Sequence, residues 1–130
     1  MYSLTTTPKG YAAFLRFAIG VQTLSAIIAP ITAGVLLTAP SGRTLHSAAA
    51  YTVFTVALVH LVAAIAVWRP GGGPAKPIGY ASGFLAATLL QVAAGIAGVM
   101  TVHVPLGVLM FGVSLLQLTQ VRSAARPAGR

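Results

Sequence analysis

The chain has 130 residues, 57% of them hydrophobic and only 6% charged, and it contains no Asp, Glu or Cys. A soluble domain carries about 25% charged residues, so this composition reads as one small integral membrane domain rather than a water-facing one. The missing residue types exclude disulfides, thiolate and iron–sulfur ligation, covalent haem attachment through Cys, carboxylate general bases and carboxylate proton relays.

A membrane-crossing helix needs roughly 20 apolar residues, and four stretches meet this in chain order: about 14–37, 45–68, 78–99 and 103–121. The expected fold is therefore all-α, a four-helix integral membrane bundle. Pro30 inside the first stretch predicts a kink. Thr38-Ala-Pro-Ser-Gly-Arg-Thr44 supplies the first turn. Arg69-Pro-Gly-Gly-Gly-Pro-Ala-Lys-Pro77 supplies the second. Trp68 stands where an interfacial anchor belongs. The third reversal has little turn chemistry, but the combined stretch would be about twice the hydrocarbon thickness as one helix. It must turn back between Gly98 and Pro105, with Pro105 suited to the first turn of the new helix.

All of the net charge of +8 comes from Lys and Arg. Lys9 and Arg16 flank the first stretch, Arg69 and Lys76 lie in the second turn, and Arg122, Arg126 and Arg130 lie in the tail. Four spans place all of these on one side and leave only Arg43 on the other. By the positive-inside rule both termini are expected in the cytoplasm, in a multi-pass protein of the cell membrane. The basic residues form no stripe with interleaved aromatics, so nucleic acid is not an expected partner; the lipid bilayer is. The long first apolar run followed by further spans speaks against a cleaved signal peptide.

Two histidines carry the functional expectation. Leu45-His46 opens the second stretch and Val102-His103 opens the fourth, and the two stretches overlay: Phe54 on Phe111, Val56 on Val113, Leu58 on Leu115, Leu61 on Leu118. Each alone reads equally well as a wetted interfacial residue. As a pair at one depth of two parallel helices they point to two ligands of one object, and an ionisable group at membrane depth is a functional-site hypothesis. Zinc would need three or four ligands, whereas haem b asks the protein for two. Ala48, Ala49, Ala50 and Gly107 supply small residues near a flat macrocycle, though close helix packing uses the same residue types. Arg43, three residues before His46, is a candidate partner for a haem propionate or a solvated turn residue. His60 lies about 21 Å deeper on the face of His46, with Gln117 as its register partner. It is read first as a structural hydrogen-bonding residue, and also as a candidate for a second haem site or a proton or quinone contact. Gln22 and Gln91 are read as interhelical hydrogen-bonding groups.

With one histidine at the head of its second span (Leu45-His46) and one at the head of its fourth (Val102-His103-Val-Pro-Leu-Gly107), the chain resembles one half of the haem A synthase family. That resemblance implies a four-helix unit whose paired histidines ligate a haem near the outer surface. It does not extend to the oxidation of a haem methyl group: the family's catalytic glutamate lies three residues before a ligand histidine, where this chain has Arg43. The gap between His46 and His60 is similar to that between stacked haem ligands in the cytochrome b bundle of quinol-oxidising complexes, but Gln117 replaces the matching histidine on the fourth span. The expectation is a b-type haem-binding protein holding one bis-histidine haem near the extracytoplasmic face. It would serve as an electron carrier more than a catalyst, with a quinone or membrane redox partner and room for self-association or a larger complex. Two other classes stay open: a non-haem accessory or assembly subunit, and a small transporter-like subunit with His60, Gln22, Gln91 and Gln117 along a polar path.

Overall fold

A computed structural model of the protein describes residues 3–123; Arg126 and Arg130 of the basic tail lie outside them. Among the described residues there are four helices, α1 (Lys9–Leu36), α2 (Gly42–Trp68), α3 (Lys76–Ile96) and α4 (Met100–Ser123), and no strand. All four are long and apolar enough to cross a membrane. They run up-down-up-down in a ring: α1 packs on α2, α2 on α3, α3 on α4 and α4 on α1, while the diagonal pairs α1–α3 and α2–α4 do not approach.

The helix limits differ from the apolar stretches for physical reasons. α1 begins at Lys9, because Pro8 has no N–H to leave unpaired at a helix start and the chain before it is anchored, with Leu4 buried and the Thr7 amide bonded to the Leu4 carbonyl at 3.0 Å. The third reversal comes earlier than expected. Gly98 takes a left-handed φ of 71°; its amide bonds to the Gly95 carbonyl and the Val99 amide to the Ala94 carbonyl, at 3.2 and 2.9 Å. This pairing satisfies the last carbonyls of α3 and turns the chain within three residues. α4 therefore starts at Met100, and Pro105 falls in its second turn rather than its first. In the first turn, Gly42 packs against the Leu36 backbone so closely that no Cβ fits. In the second, the Arg69 guanidinium lies 5.0 Å from the centre of the Trp68 ring.

The inside of the bundle is built from smaller residues than the outside. Ala12, Ala18, Ala49, Ala57, Ala63, Ala64, Ala81 and Ala94 are buried, while Leu24, Ile31, Val62, Leu90 and Leu116 point outward. Small interior residues let helix backbones approach closely, and the large side chains are left to an apolar surround. Two apolar clusters form the core. One, near the termini, contains Leu15, Ile19, Ala63, Ala64, Val67, Ala81 and Val121. The other, toward the middle of the bundle, contains Val53, Ala57, Phe84 and Met110.

Candidate functional site

The overlay of α2 on α4 holds in three dimensions. The buried residues of α4 are Met110, Ser114, Gln117 and Val121. Their overlay partners Val53, Ala57, His60 and Ala64 are all buried on α2. The two helices thus present the same face, read at the same register, to the bundle axis. At the head of each such face stands a histidine.

His46 and His103 meet across the diagonal. Their ring centroids lie 6.1 Å apart, with the ring planes crossed at 77°, although the backbones of α2 and α4 do not approach. Both rings are half-buried. Each is held by the preceding helix of its own hairpin. His103 Nδ1 is 2.8 Å from the Gln91 carbonyl of α3, and His46 Nδ1 is 3.2 Å from the Ala29 carbonyl of α1 and 3.2 Å from Thr32 Oγ1. A carbonyl oxygen only accepts, so Nδ1 is the donor in both rings, and in the neutral tautomer this leaves the lone pair on Nε2. The hydrogen bonds of both rings among the described residues use Nδ1 alone. Such a backbone bond on one imidazole nitrogen fixes the tautomer and the ring orientation, the usual arrangement of a metal-ligating histidine.

Two glycines make the α3–α4 side of this arrangement fit. A Cβ on Gly95 would stand 2.9 Å from Cε1 and 3.0 Å from Nδ1 of His103, so the imidazole occupies the space a side chain would need. A Cβ on Gly107 would stand 2.8 Å from Gln91 Nε2. The packing is reciprocal: α4 sends a histidine onto a glycine of α3, and α3 sends a glutamine onto a glycine of α4. Gln91 Oε1 is buried there with no hydrogen-bond partner among the described residues. Arg43 is exposed in the first turn of α2, one helical turn before His46.

His60 does not join this pair. It sits in a separate buried layer, where Gln22 of α1 is the hub. Gln22 Oε1 accepts from His60 Nδ1 at 2.7 Å, and Gln22 Nε2 donates to Ser114 Oγ at 3.1 Å and Gln117 Oε1 at 3.4 Å. Thr23 Oγ1 and Ser114 Oγ are bonded at 2.9 Å. Gln117 Nε2 is buried without a partner. One carboxamide thereby ties together α1, α2 and α4, as a buried polar group must be tied if it is to be tolerated. Gln22 and Gln117 meet as interhelical hydrogen-bonding groups. Gln91 instead lies at the level of the paired imidazoles, not along a path shared with His60.

Among the described residues no group of three or more His, Cys, Asp or Glu side chains could hold a metal ion. Comparison with known proteins yields no match: no family model, no curated protein and no solved structure is similar to the chain.

Proposed function

We propose that the chain is a multi-pass protein of the cell membrane, with both termini cytoplasmic, that holds one haem b between His46 and His103 near the extracytoplasmic face and carries electrons. The single observation behind this reading is the pair of crossed imidazoles 6.1 Å apart, each with Nδ1 spent on a backbone carbonyl. A histidine nitrogen lies about 2.0–2.1 Å from a transition-metal ion, and the ring centre is about 1.1 Å behind it; two imidazoles in line on one iron therefore stand roughly 6.3 Å apart. A bis-histidine haem needs two axial nitrogens from the protein, which is what the site offers. Ala49 and Ala50 one turn along from His46 and Gly107 one turn along from His103 keep the nearby side chains small, and Arg43, exposed one turn before His46, would take a propionate.

Haem b held by His46 and His103 would supply a one-electron couple, suited to electron transfer rather than oxygen activation. The protein's part is to orient the two rings, to set their basicity through the Ala29 and Gln91 carbonyls, and to keep water from the lower side with the Val53, Phe84 and Met110 floor. Membrane insertion is supported by the four apolar helices, and the orientation by the distribution of Lys and Arg. A quinone or a membrane redox protein is the expected electron partner. His60 is bonded into the buried layer centred on Gln22, which favours its structural role over a second haem.

The test is the reduced-minus-oxidised absorption spectrum of the purified protein, read beside His46→Ala and His103→Ala. The wild type should show a b-type low-spin α band at one haem per chain, and each substitution should abolish that low-spin band. A band that survives either substitution sinks the ligand assignment, and a wild type without haem after expression with ample haem supply sinks the reading as a whole.

A further inference from the structure

The two imidazoles are held unequally. A carbonyl oxygen has two lone pairs. The Gln91 carbonyl sits inside α3 and serves the helix's own amide and His103, and the His103 bond is short at 2.8 Å. The Ala29 carbonyl sits inside α1 and already accepts the Thr32 hydroxyl at 2.8 Å besides its helical amide. His46 is thus a third donor there, and its Nδ1 is shared at 3.2 Å between that carbonyl and Thr32 Oγ1. Packing repeats the asymmetry. The His103 ring lies flush on Gly95, with the Gln91 carboxamide lodged against Gly107 one turn away. No glycine holds His46: Gly34, the nearest on α1, has nothing within 4 Å of its Cβ position. The residues one turn along from His46 are the methyl side chains Ala49 and Ala50.

Resting on the haem reading above, we infer that His103 is the anchoring ligand and His46 the exchangeable one, so that the ferrous site admits a small neutral diatomic ligand on the His46 side. The exchange would be a substitution with no net redox change: His46 Nε2 would give up its bond to the iron, the incoming molecule would donate its own lone pair, and the released imidazole would keep its Nδ1 proton. The strong bond from His103 to Gln91 keeps the opposite ligand basic and in place throughout.

Carbon monoxide is the probe, added to the dithionite-reduced holoprotein in detergent. The wild type should convert to the carbon monoxide form within minutes at one atmosphere, and His46→Ala should convert at least tenfold faster. Haem titration of the apoproteins should show His46→Ala within a few-fold of wild-type affinity and His103→Ala weakened at least tenfold further. Added imidazole should restore the six-coordinate spectrum of His46→Ala. If His103→Ala fails to fold by far-UV circular dichroism, His46→Ala alone decides: haem retained with rapid carbon monoxide binding supports the inference, and haem lost overturns it. Equal weakening in both variants, or a haem-loaded wild type inert to carbon monoxide, overturns this inference while leaving the haem reading intact. A wild type with no haem overturns both.

Discussion

Gly95→Ala separates the site from the fold, because it should weaken the first while its two effects on the second nearly cancel. The new methyl carbon would stand 2.9 and 3.0 Å from two atoms of the His103 ring and 3.8 Å from Nε2. Ordinary carbon contacts lie near 3.5–4.0 Å, so the imidazole must retreat by about half an ångström. The bond from Nδ1 to the Gln91 carbonyl, 2.8 Å in the native packing, then stretches past the good range, at a cost of about 1 kcal/mol. Loss of an orienting partner of this kind lowers metal affinity about 10- to 100-fold, or roughly 1.4–2.8 kcal/mol. Against this, Ala is favoured over Gly in a helix interior by about 0.8–1.0 kcal/mol. The apoprotein should therefore stay within about 1 kcal/mol of wild-type stability while haem binding falls by at least tenfold. Titration of the apoprotein with ferric haem, followed at the Soret band, measures the haem affinity. Loss of helical circular dichroism in a denaturing detergent measures the apoprotein stability. Unchanged haem affinity would refute the argument, as would a loss of affinity fully matched by a loss of apoprotein stability.

Gly107→Ala is the control for that experiment. Its methyl meets only the far end of the flexible Gln91 side chain, which can swing aside, so haem affinity in the same titration should change by no more than about threefold. Gln22→Leu removes the hub of the buried layer and should destabilise the protein by about 1–3 kcal/mol, read from detergent unfolding; His60→Leu should cost less when added to it than alone, and full additivity would argue against the shared bond. Gly98→Ala puts a side chain at a φ of 71° and should cost about 1–2 kcal/mol in the same assay. The chain has no Cys, so single cysteines report topology cleanly: Ser41→Cys should react with an impermeant thiol reagent on intact cells and Ala75→Cys only after permeabilisation, and the reverse pattern would overturn the orientation.

The number of helices was legible because each apolar run is long and three features of composition agree: no acids, little charge, and turn residues grouped between the runs. The α2–α4 overlay was legible for the same reason a repeat is. Two faces built to the same plan place Val53 with Met110, Ala57 with Ser114 and His60 with Gln117, and the histidines ride at the head of that register. The third reversal was harder. Its turn rests on a single glycine, Gly98, whose left-handed backbone looks in sequence like any other small residue of the Ala-Gly-rich stretch around it. The partners of the imidazoles were not legible at all. Ala29 and Gln91 act through backbone carbonyls, which every residue possesses, so no side-chain pattern marks them. Gly95 left one trace, since a glycine in a helix interior is costly and calls for a packing reason, but which side chain fills its place depends on how α3 and α4 are set against each other. The hub role of Gln22 likewise needs the ring order of helices, which brings residues of α1 and α4 together from opposite ends of the chain.

The central claim is that His46 and His103 both ligate one iron with their rings crossed as they stand here, at 77°. Low-temperature electron paramagnetic resonance of the oxidised protein tests it most directly, because the anisotropy of a low-spin ferric bis-imidazole centre depends on the angle between its two axial rings. Crossed ligation should give a single low-spin ferric signal of the strongly anisotropic kind shown by near-perpendicular imidazoles, lost in both His46→Ala and His103→Ala. A rhombic signal of the kind given by parallel rings, a signal unchanged by either substitution, or no ferric haem signal in the wild type would contradict it.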